Sequence, residues 1–257
     1  MREAVLNAQR IVVKVGSSSI SGENAGNIHL IVDALAHAFA RGTEVVLVTS
    51  GAIATALPIL GLTGRPDDLP GQQAAAAVGQ NMLMNRYQES LNRHDIVAAQ
   101  VLLTAGDLDH PSNRQNAQLA LDRLLGMRMF PIINENDTVA TAEIRFGDND
   151  RLAALVAELV GADLLVLLSD VDALYTKPPH HEGAQRIEFV TAGDDLSGVE
   201  IGDIGAAGVG TGGASTKIAA AKYATAEGIP VILTATPLIA EALDGAEVGT
   251  WFEPAER

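Results

Sequence analysis

Short runs of β-branched and leucine residues, separated by longer alanine- and leucine-rich segments, constrain the fold of this chain more than any other feature. Runs this uniformly apolar are typical of strands covered on both faces, and the segments between them have helical spacing. The predicted strands are residues 11–15, 44–48, 96–102, 129–133, 164–168 and 229–233. The predicted helices are residues 28–40, 72–92, 113–125, 151–160 and 215–227.

Alternation of strand and helix predicts an α/β fold, a three-layer αβα sandwich around a mostly parallel central sheet. Gly42, Gly161 and Gly228 each stand between a predicted helix and the next strand, where a glycine commonly ends a helix. Residues 248–252 have the pattern of a closing strand. The sequence shows no internal repeat and no low-complexity linker, so we expect one domain over residues 1–257.

Two stretches depart from this alternation. Residues 137–146 alternate in polarity, which predicts a short hairpin or an extended excursion. Residues 177–208 are rich in Pro, His, Gly and Asp, and only residues 186–190 among them resemble a strand. A stretch of this length and composition predicts a surface lobe or a lid over a site.

Composition narrows the function classes. The chain has a formal net charge of -15, which argues against general binding to nucleic acid or to a membrane surface, since both need basic patches. No apolar stretch approaches the roughly 18 residues of a membrane span, and the N-terminus lacks a signal-peptide pattern. The sequence has no cysteine, which excludes disulfides and thiolate metal sites. The absence of cysteine does not bear on the compartment, and a cytoplasmic protein is the default expectation.

Polar clusters directly follow four of the predicted strands. They are residues 14–19, 49–52, 134–137 and 169–170. Ligands of open parallel sheets bind beyond the carboxyl ends of the strands, and those ends meet at one edge. We therefore expect these clusters to converge on one rim of the sheet.

Two lysines stand at two loops of small residues near opposite ends of the chain. Lys14 leads from an apolar strand into a Gly/Ser turn, and Lys217 closes the glycine loop of residues 210–217. That loop is not a Walker A motif, because Thr216 precedes the lysine where the motif needs glycine. A glycine loop before a helix is often only a turn, yet its backbone amides can approach phosphates. The second lysine favours a phosphate-rich ligand held from both sides, and hence phosphoryl transfer.

Acidic and small residues complete the candidate site. Asp148, Asn149 and Asp150 crowd the start of a predicted helix, where capping would explain one of them but not all three. Asp150 and Asp137 suit the orientation of lysines or of a substrate ammonium group. Ser50 begins the tripeptide Ser-Gly-Ala, which fits either an ordinary helix cap or an anion site. The histidines show no metal-ligand spacing.

Five motifs, taken together, carry a family resemblance. Residues 11–19, 48–54, 134–140, 146–150 and 210–217 resemble, in the same order along nearly the whole chain, the glutamate 5-kinase group of the amino acid kinase family. Asn-Glu-Asn-Asp followed by Gly-Asp-Asn-Asp is the specific part. The lysines and the glycine loop alone indicate only the wider family.

The resemblance implies ATP-dependent phosphorylation of the γ-carboxylate of L-glutamate to L-glutamyl 5-phosphate, the first step of proline biosynthesis. It implies catalytic roles for Lys14, Asp150 and Lys217. It implies glutamate binding by Ser50, Gly51, Asp137 and Asn149. It implies ATP binding by Lys14, Ser169, Asp170, Thr211, Gly212, Gly213, Ala214, Ser215, Thr216 and Lys217. No protein ligand to a metal is implied, and Mg²⁺ is expected on the ATP phosphates.

The resemblance also implies binding partners, and the chain departs from the family pattern at several positions. We expect a homo-oligomer (a dimer or a tetramer), feedback binding of proline, and handover of the product to glutamyl phosphate reductase. Relatives often carry a further C-terminal PUA domain, which we do not expect in this chain. They also often have lysine at the position of Gln72 and methionine at the position of Ala214. In this chain Lys177-Pro178-Pro179 replaces the usual Ala-Asp-Pro-Arg.

Two alternatives remain open on sequence. The first is another amino acid kinase that phosphorylates a different carboxylate or phosphate, such as acetylglutamate or UMP. Asp137 and Asp150 suit a free ammonium group and would be poor partners for an acetylated amine. The second is a catalytically silent sensor of glutamate or nucleotide. A sensor would not need Lys14, Asp150 and Lys217 together.

Overall fold

The computed structural model describes residues 2–140, 149–200 and 213–256. All the predicted strands and helices named above are present, with ends shifted by no more than three residues. The helices are α1 (Arg2–Asn7), α2 (Asn27–Ala40), α3 (Ala52–Ala56), α4 (Leu69–Asn92), α5 (Ala105–Asp109), α6 (Pro111–Gly126), α7 (Asn149–Leu159), α8 (Ala214–Ala226) and α9 (Ile239–Leu243). The strands are β1 (Arg10–Lys14), β2 (Glu44–Val48), β3 (Ala98–Leu103), β4 (Phe130–Glu135), β5 (Leu164–Ser169), β6 (Leu174–Tyr175), β7 (Arg186–Ile187), β8 (Phe189–Val190), β9 (Val231–Ala235) and β10 (Thr250–Phe252).

Within the described residues, the central sheet has eight strands in the order β3-β4-β2-β1-β5-β9-β10-β8. β1 lies near its middle and pairs in parallel with β2 on one side and β5 on the other. Pairing is parallel from β3 across to β9, and β10 then runs antiparallel to β9. The predicted mostly parallel sheet is confirmed. The carboxyl ends of β1, β2, β4 and β5 therefore share one rim.

Apolar side chains cover both faces of the sheet, which makes three layers. On one face, Val13 of β1 joins a cluster with Leu35 of α2 and Leu83 of α4. On the other face, Val12 of β1 joins a cluster with Leu152 of α7 and Ala221 of α8. Successive residues of one strand thus enter opposite layers, as the period of two in a strand requires. No described helix is long and apolar enough to cross a membrane.

Glycines end three of the helices in the way the sequence predicts. Gly42, Gly161 and Gly228 have φ values of 99°, 61° and 75°, in the left-handed region that favours glycine. Each directly precedes the segment that returns to the sheet. The predicted stop positions are confirmed.

The described part of the lobe predicted over residues 177–208 is tied to the edge of the sheet. β7 forms a two-stranded antiparallel ribbon with β6, and β8 pairs with β10 of the central sheet. Leu174 N also donates a hydrogen bond of 2.7 Å to Thr250 Oγ1. Residues 201–208 lie outside the described residues, as does the 141–146 part of the predicted hairpin. The lid and the hairpin therefore stay predictions.

A close helix contact fixes the segment that follows β2. A Cβ atom placed on Gly79 of α4 would lie 1.7 Å from the carbonyl oxygen of Ala52 and 3.1 Å from Ala56 Cβ. Both contacted residues belong to α3. Only glycine lets α4 approach α3 this closely, and this contact holds α3 beside the rim.

We expect Gly79→Ala to lower the free energy of unfolding by about 1–3 kcal/mol, because the added methyl group overpacks the α3–α4 contact. Gly126→Ala is the matched control, since a Cβ there meets no atom within 4 Å. In a helix such a change is otherwise neutral or stabilising by a few tenths of a kcal/mol. Chemical denaturation of both variants measures the difference, and equal unfolding free energies would contradict the contact.

Candidate active site

One carboxylate joins the two lysines that the sequence singles out. Asp150 Oδ1 lies 2.5 Å from Lys14 Nζ, and Asp150 Oδ2 lies 3.3 Å from Lys217 Nζ. The side chains are 2 %, 0 % and 11 % exposed for Lys14, Asp150 and Lys217 respectively. Residues from opposite ends of the chain therefore meet in one buried ion cluster.

Three elements bring these side chains together. Lys14 is the last residue of β1, Asp150 is the second residue of α7, and Lys217 lies in the first turn of α8. Thr216 Oγ1 accepts a hydrogen bond from Gly213 N and lies 3.0 Å from Asp150 Oδ2. The start of α8 is thereby fixed against the start of α7.

The charges of the cluster determine what it can bind. Two ammonium groups and one carboxylate meet in these three side chains. Burying charge is costly unless each group has a partner, and removing one partner from a buried pair is strongly destabilising. Two ammonium groups held close together are donors that suit an anionic ligand, in a chain whose overall charge is -15.

A network of buried amides lies beside the ion cluster. Asn149 Nδ2 donates to the backbone carbonyl of Thr49 at 2.6 Å and to Asn134 Oδ1 at 2.7 Å. Asn134 Nδ2 in turn donates to Gln80 Oε1 at 2.7 Å. The network joins the C-terminal ends of β2 and β4 to the start of α7 and to the middle of α4. The sequence predicts Asn149 as a site residue but gives no sign of Gln80, because only the packing of α4 brings it to the rim.

Tyr87 of α4 contacts Thr49, whose backbone carbonyl belongs to the same network. Its hydroxyl lies 2.8 Å from Thr49 Oγ1, and both side chains are fully buried. Burial raises the pKa of the Tyr87 phenol far above its ordinary value, so this hydroxyl stays protonated at any physiological pH. The contact anchors α4 to the end of β2.

The segment after β2 differs in detail from the predicted helix start. Ser50 is half-buried, and Gly51 precedes α3 with φ of 97°, again a conformation that favours glycine. The helix that follows has only five residues, so it contributes little dipole.

Asp137 lies in a tight turn just beyond β4 and is half-buried. Val139 N donates to Asn136 O at 3.1 Å to close the turn. Gln73 Nε2 of α4 donates to Ala140 O at 3.3 Å. α4 thus holds the Asp137 turn as well as the amide network.

The loops after β1 and β5 meet, as expected from neighbouring strands. Asp170 Oδ1 accepts hydrogen bonds from Ser18 Oγ at 3.2 Å and from Ser19 Oγ at 3.4 Å. Ser169 is the last residue of β5. The predicted nucleotide residues of this loop therefore lie on the same rim as Lys14.

The glycine loop is described only from Gly213 onward. Gly213 precedes α8, and Ala214, Ser215, Thr216 and Lys217 form the first turn of that helix. The backbone N–H groups of a first helical turn are available to an anion. Thr211 and Gly212 of the predicted site lie outside the described residues, and so do Gly147 and Asp148.

Comparison with known proteins identifies the family. A family model described as "Amino acid kinase family" matches residues 9–235 of the chain. The chain belongs to the amino acid kinase family.

Three curated relatives, each matched over nearly the whole of this chain, carry the name glutamate 5-kinase. The chain is 68% identical over 253 residues to a glutamate 5-kinase from Clavibacter sepedonicus, covering 98% of this chain and 97% of the relative. It is 66% identical to a glutamate 5-kinase from Leifsonia xyli subsp. xyli, covering 99% of this chain and 94% of the relative. A third glutamate 5-kinase, from Salinispora arenicola, is 56% identical, and the match covers 100% of this chain but 71% of that relative.

Solved structures of the amino acid kinase fold resemble the chain in backbone only. A carbamate kinase from Giardia lamblia bound to AMP-PNP superposes with a TM-score of 0.70 at 14% identity, over 97% of this chain and 99% of that one. An isopentenyl phosphate kinase superposes with a TM-score of 0.65 at 18% identity, over 95% and 99%. At such low identity these matches show the fold, and the three-layer architecture predicted from sequence is confirmed.

We expect Asp150→Asn to lower the free energy of unfolding by about 3 kcal/mol or more, because two buried lysines lose their shared counter-charge. Asp170→Asn is the control, since Asp170 is exposed and its change should stay within about 0.5 kcal/mol. Denaturant titration of the ligand-free proteins measures both values. Equal stability of the two variants would show that the Asp150 pairs contribute nothing.

Proposed function

We propose that this amino acid kinase transfers the γ-phosphoryl group of ATP to the γ-carboxylate of L-glutamate, giving L-glutamyl 5-phosphate, the first step of proline biosynthesis. The observation that carries the proposal is the buried Lys14–Asp150–Lys217 cluster beside the Asn149 amide, in a chain 68% identical to a glutamate 5-kinase. The phosphoryl acceptor is thus a carboxylate.

The reaction needs no general base. A free glutamate carboxyl group has a pKa of about 4.3, so at neutral pH the nucleophile is already ionised. One carboxylate oxygen forms a bond to the γ-phosphorus, the bond from that phosphorus to the β,γ-bridging oxygen breaks, and ADP leaves with the electron pair. The barrier lies in bringing one anion against another, so positioning and charge neutralisation dominate.

We assign charge neutralisation to the two lysines. Lys14 approaches the transferring phosphoryl group from the C-terminal end of β1, and Lys217 approaches it from the N-terminal end of α8. Asp150 fixes the two ammonium groups relative to each other. A preorganised cation in a buried site stabilises developing charge more than it would in water. Asp150 is thus a positioning residue for both lysines.

We assign glutamate recognition to polar atoms that the hydrogen bonds of the amide network do not use. Both amide hydrogens of Asn149 are used by Thr49 O and Asn134 Oδ1, so its carbonyl oxygen Oδ1 is the atom left for substrate. A carbonyl oxygen suits an ammonium group, and the Asp137 carboxylate suits it better still. Ser50 and Gly51 supply hydroxyl and N–H donors for a substrate carboxylate. Acetylation would remove the positive charge that this arrangement favours.

ATP binding is assigned to the two loops that flank the ion cluster. Gly213, Ala214, Ser215, Thr216 and Lys217 at the start of α8 offer backbone amides and hydroxyl groups to phosphates. Ser169 and Asp170 extend the rim from β5, and Thr211 and Gly212 complete the assignment. A divalent metal ion accompanies ATP in kinase chemistry.

We assign that metal ion as Mg²⁺ held chiefly by the ATP phosphates. Both carboxylate oxygens of Asp150 face ammonium groups, which leaves this buried acid poorly suited to ligate a cation. Among the residues that the structure describes, no three His, Cys, Asp or Glu side chains gather as a metal cage. When bound, the ion would neutralise phosphate charge that the lysines do not.

The proposal also covers the domain organisation, the oligomeric state, the regulation and the cellular location of the protein. We infer a single domain, since the sheet draws strands from the beginning, middle and end of the described chain. We infer a homo-oligomer, a dimer or a tetramer, from the resemblance to glutamate 5-kinases. Feedback binding of proline, handover of the labile acyl phosphate to glutamyl phosphate reductase and a cytoplasmic location follow from the proposed activity.

A substrate panel tests the proposal. ATP turnover is measured with L-glutamate, N-acetylglutamate, L-aspartate and UMP, with hydroxylamine present to trap an acyl phosphate as its hydroxamate. We expect hydroxamate with L-glutamate, and at least about a hundredfold lower kcat/KM with N-acetylglutamate, because the acetylated amine leaves Asp137 and Asn149 Oδ1 unpaired. Faster turnover of N-acetylglutamate or UMP would assign the chain to another branch of the family. Binding without turnover would make it a sensor.

A further inference from the structure

The orientation of every amide in the buried network is fixed by two backbone groups. Glu135 N donates to Asn134 at 2.9 Å, so the atom that faces it must be the carbonyl oxygen Oδ1. Thr49 O accepts from Asn149, so the atom that faces it must be Nδ2. An amide side chain with one end assigned has its other end assigned as well.

The assignment propagates to Gln80. Since Asn134 Oδ1 is the acceptor, Asn134 Nδ2 is the donor, and Gln80 must present Oε1 to it at 2.7 Å. Gln80 Nε2 is then directed elsewhere. It is buried, and it has no hydrogen-bond partner among the residues that the structure describes.

A buried donor without a partner is rare in folded proteins and calls for an explanation. Gln80 as a whole is 9 % exposed, and it lies one side chain from Asn134 at the carboxyl end of β4. That end of β4 is part of the rim where Asn149 and Asp137 lie. A ligand acceptor at this rim would take a hydrogen bond from Gln80 Nε2.

We propose that Gln80 Nε2 donates a hydrogen bond to the α-carboxylate of L-glutamate, which makes Gln80 a substrate-binding residue. The inference rests on the proposed function. The γ-carboxylate must lie at Lys14 and Lys217, where the phosphoryl group is transferred. The opposite end of the substrate then faces the amide network.

The two ends of the network match the two groups on the substrate α-carbon. Asn149 Oδ1 is an acceptor and suits the ammonium group, whereas Gln80 Nε2 is a donor and suits the carboxylate. Asn134 joins these two amides and sets their separation. The same network thereby binds both the ammonium group and the α-carboxylate. A substrate that lacks one of these two groups would leave a buried polar atom unpaired.

Two variants of Gln80 separate this contact from a merely structural role. Gln80→Glu keeps an oxygen to accept from Asn134 Nδ2 but replaces the donor by a second oxygen; it is assayed at pH 8.5 so that the new carboxyl group is ionised. Gln80→Met keeps similar length and adds no charge, but it removes both the donor Nε2 and the acceptor Oε1 that faces Asn134 Nδ2. Gln118→Glu, on the exposed face of α6, is the control for an added charge.

Steady-state kinetics with L-glutamate and ATP give the readout. We expect the KM for glutamate to rise about tenfold or more in Gln80→Met and further in Gln80→Glu, with kcat and the KM for ATP within about threefold of wild type, because a contact remote from the reacting atoms contributes to binding alone. Gln118→Glu should match wild type.

The outcomes are distinguishable. An unchanged glutamate KM in Gln80→Glu would show that Gln80 only holds Asn134, and a fall in kcat at constant KM would place Gln80 near the transferred group instead. Either result overturns the inference. If Gln80→Glu does not fold, an unchanged KM in Gln80→Met overturns it equally. Failure of the wild-type protein to form hydroxamate from glutamate would instead overturn the proposed function.

Discussion

The carboxylate of Asp150 between two buried lysines is the interaction on which the rest of the structure depends. Lys14 arrives on the first strand and Lys217 on the eighth helix, so the pairs can form only when both ends of the chain are folded around the sheet. Buried charges are costly when misplaced, and the cluster therefore favours one arrangement of β1, α7 and α8. The same geometry holds two cations at a fixed separation, which is what transfer of a phosphoryl group between anions requires.

The parallel sheet supplies the frame for that cluster. It places the carboxyl ends of β1, β2, β4 and β5 along one rim, and it leaves the loops after them to carry polar groups. Helix α4 then contributes Gln80 and Tyr87 to the rim from the adjacent layer. The two buried ammonium groups and the oriented amides thus lie along the same rim. In the proposed function, the ammonium groups meet the phosphoryl group and the amides meet the α-carbon end of glutamate.

The sequence predicts the architecture well because strand and helix periodicities are local properties. The strands, the major helices and the stops at Gly42, Gly161 and Gly228 follow from it, and the structure also brings Lys14, Asp150 and Lys217 together. Their roles remain proposals. Gln80 is different: an uncharged residue in the middle of an alanine-rich helix gives no signal until the packing of α4 against β4 is known. The position of α3 is another case, because its close contact with Gly79 depends on how α4 packs against it.

The turnover of lysine variants tests the central claim most directly. Lys14→Ala and Lys217→Ala are compared with Lys222→Ala, a lysine farther along α8 whose ammonium group contacts Asp195 O and lies away from Asp150. If the buried cluster stabilises the transferring phosphoryl group, kcat falls about a hundredfold or more in each of the first two variants, the KM for glutamate changes little, and Lys222→Ala retains wild-type kinetics. Unchanged kcat in both Lys14→Ala and Lys217→Ala would contradict the account.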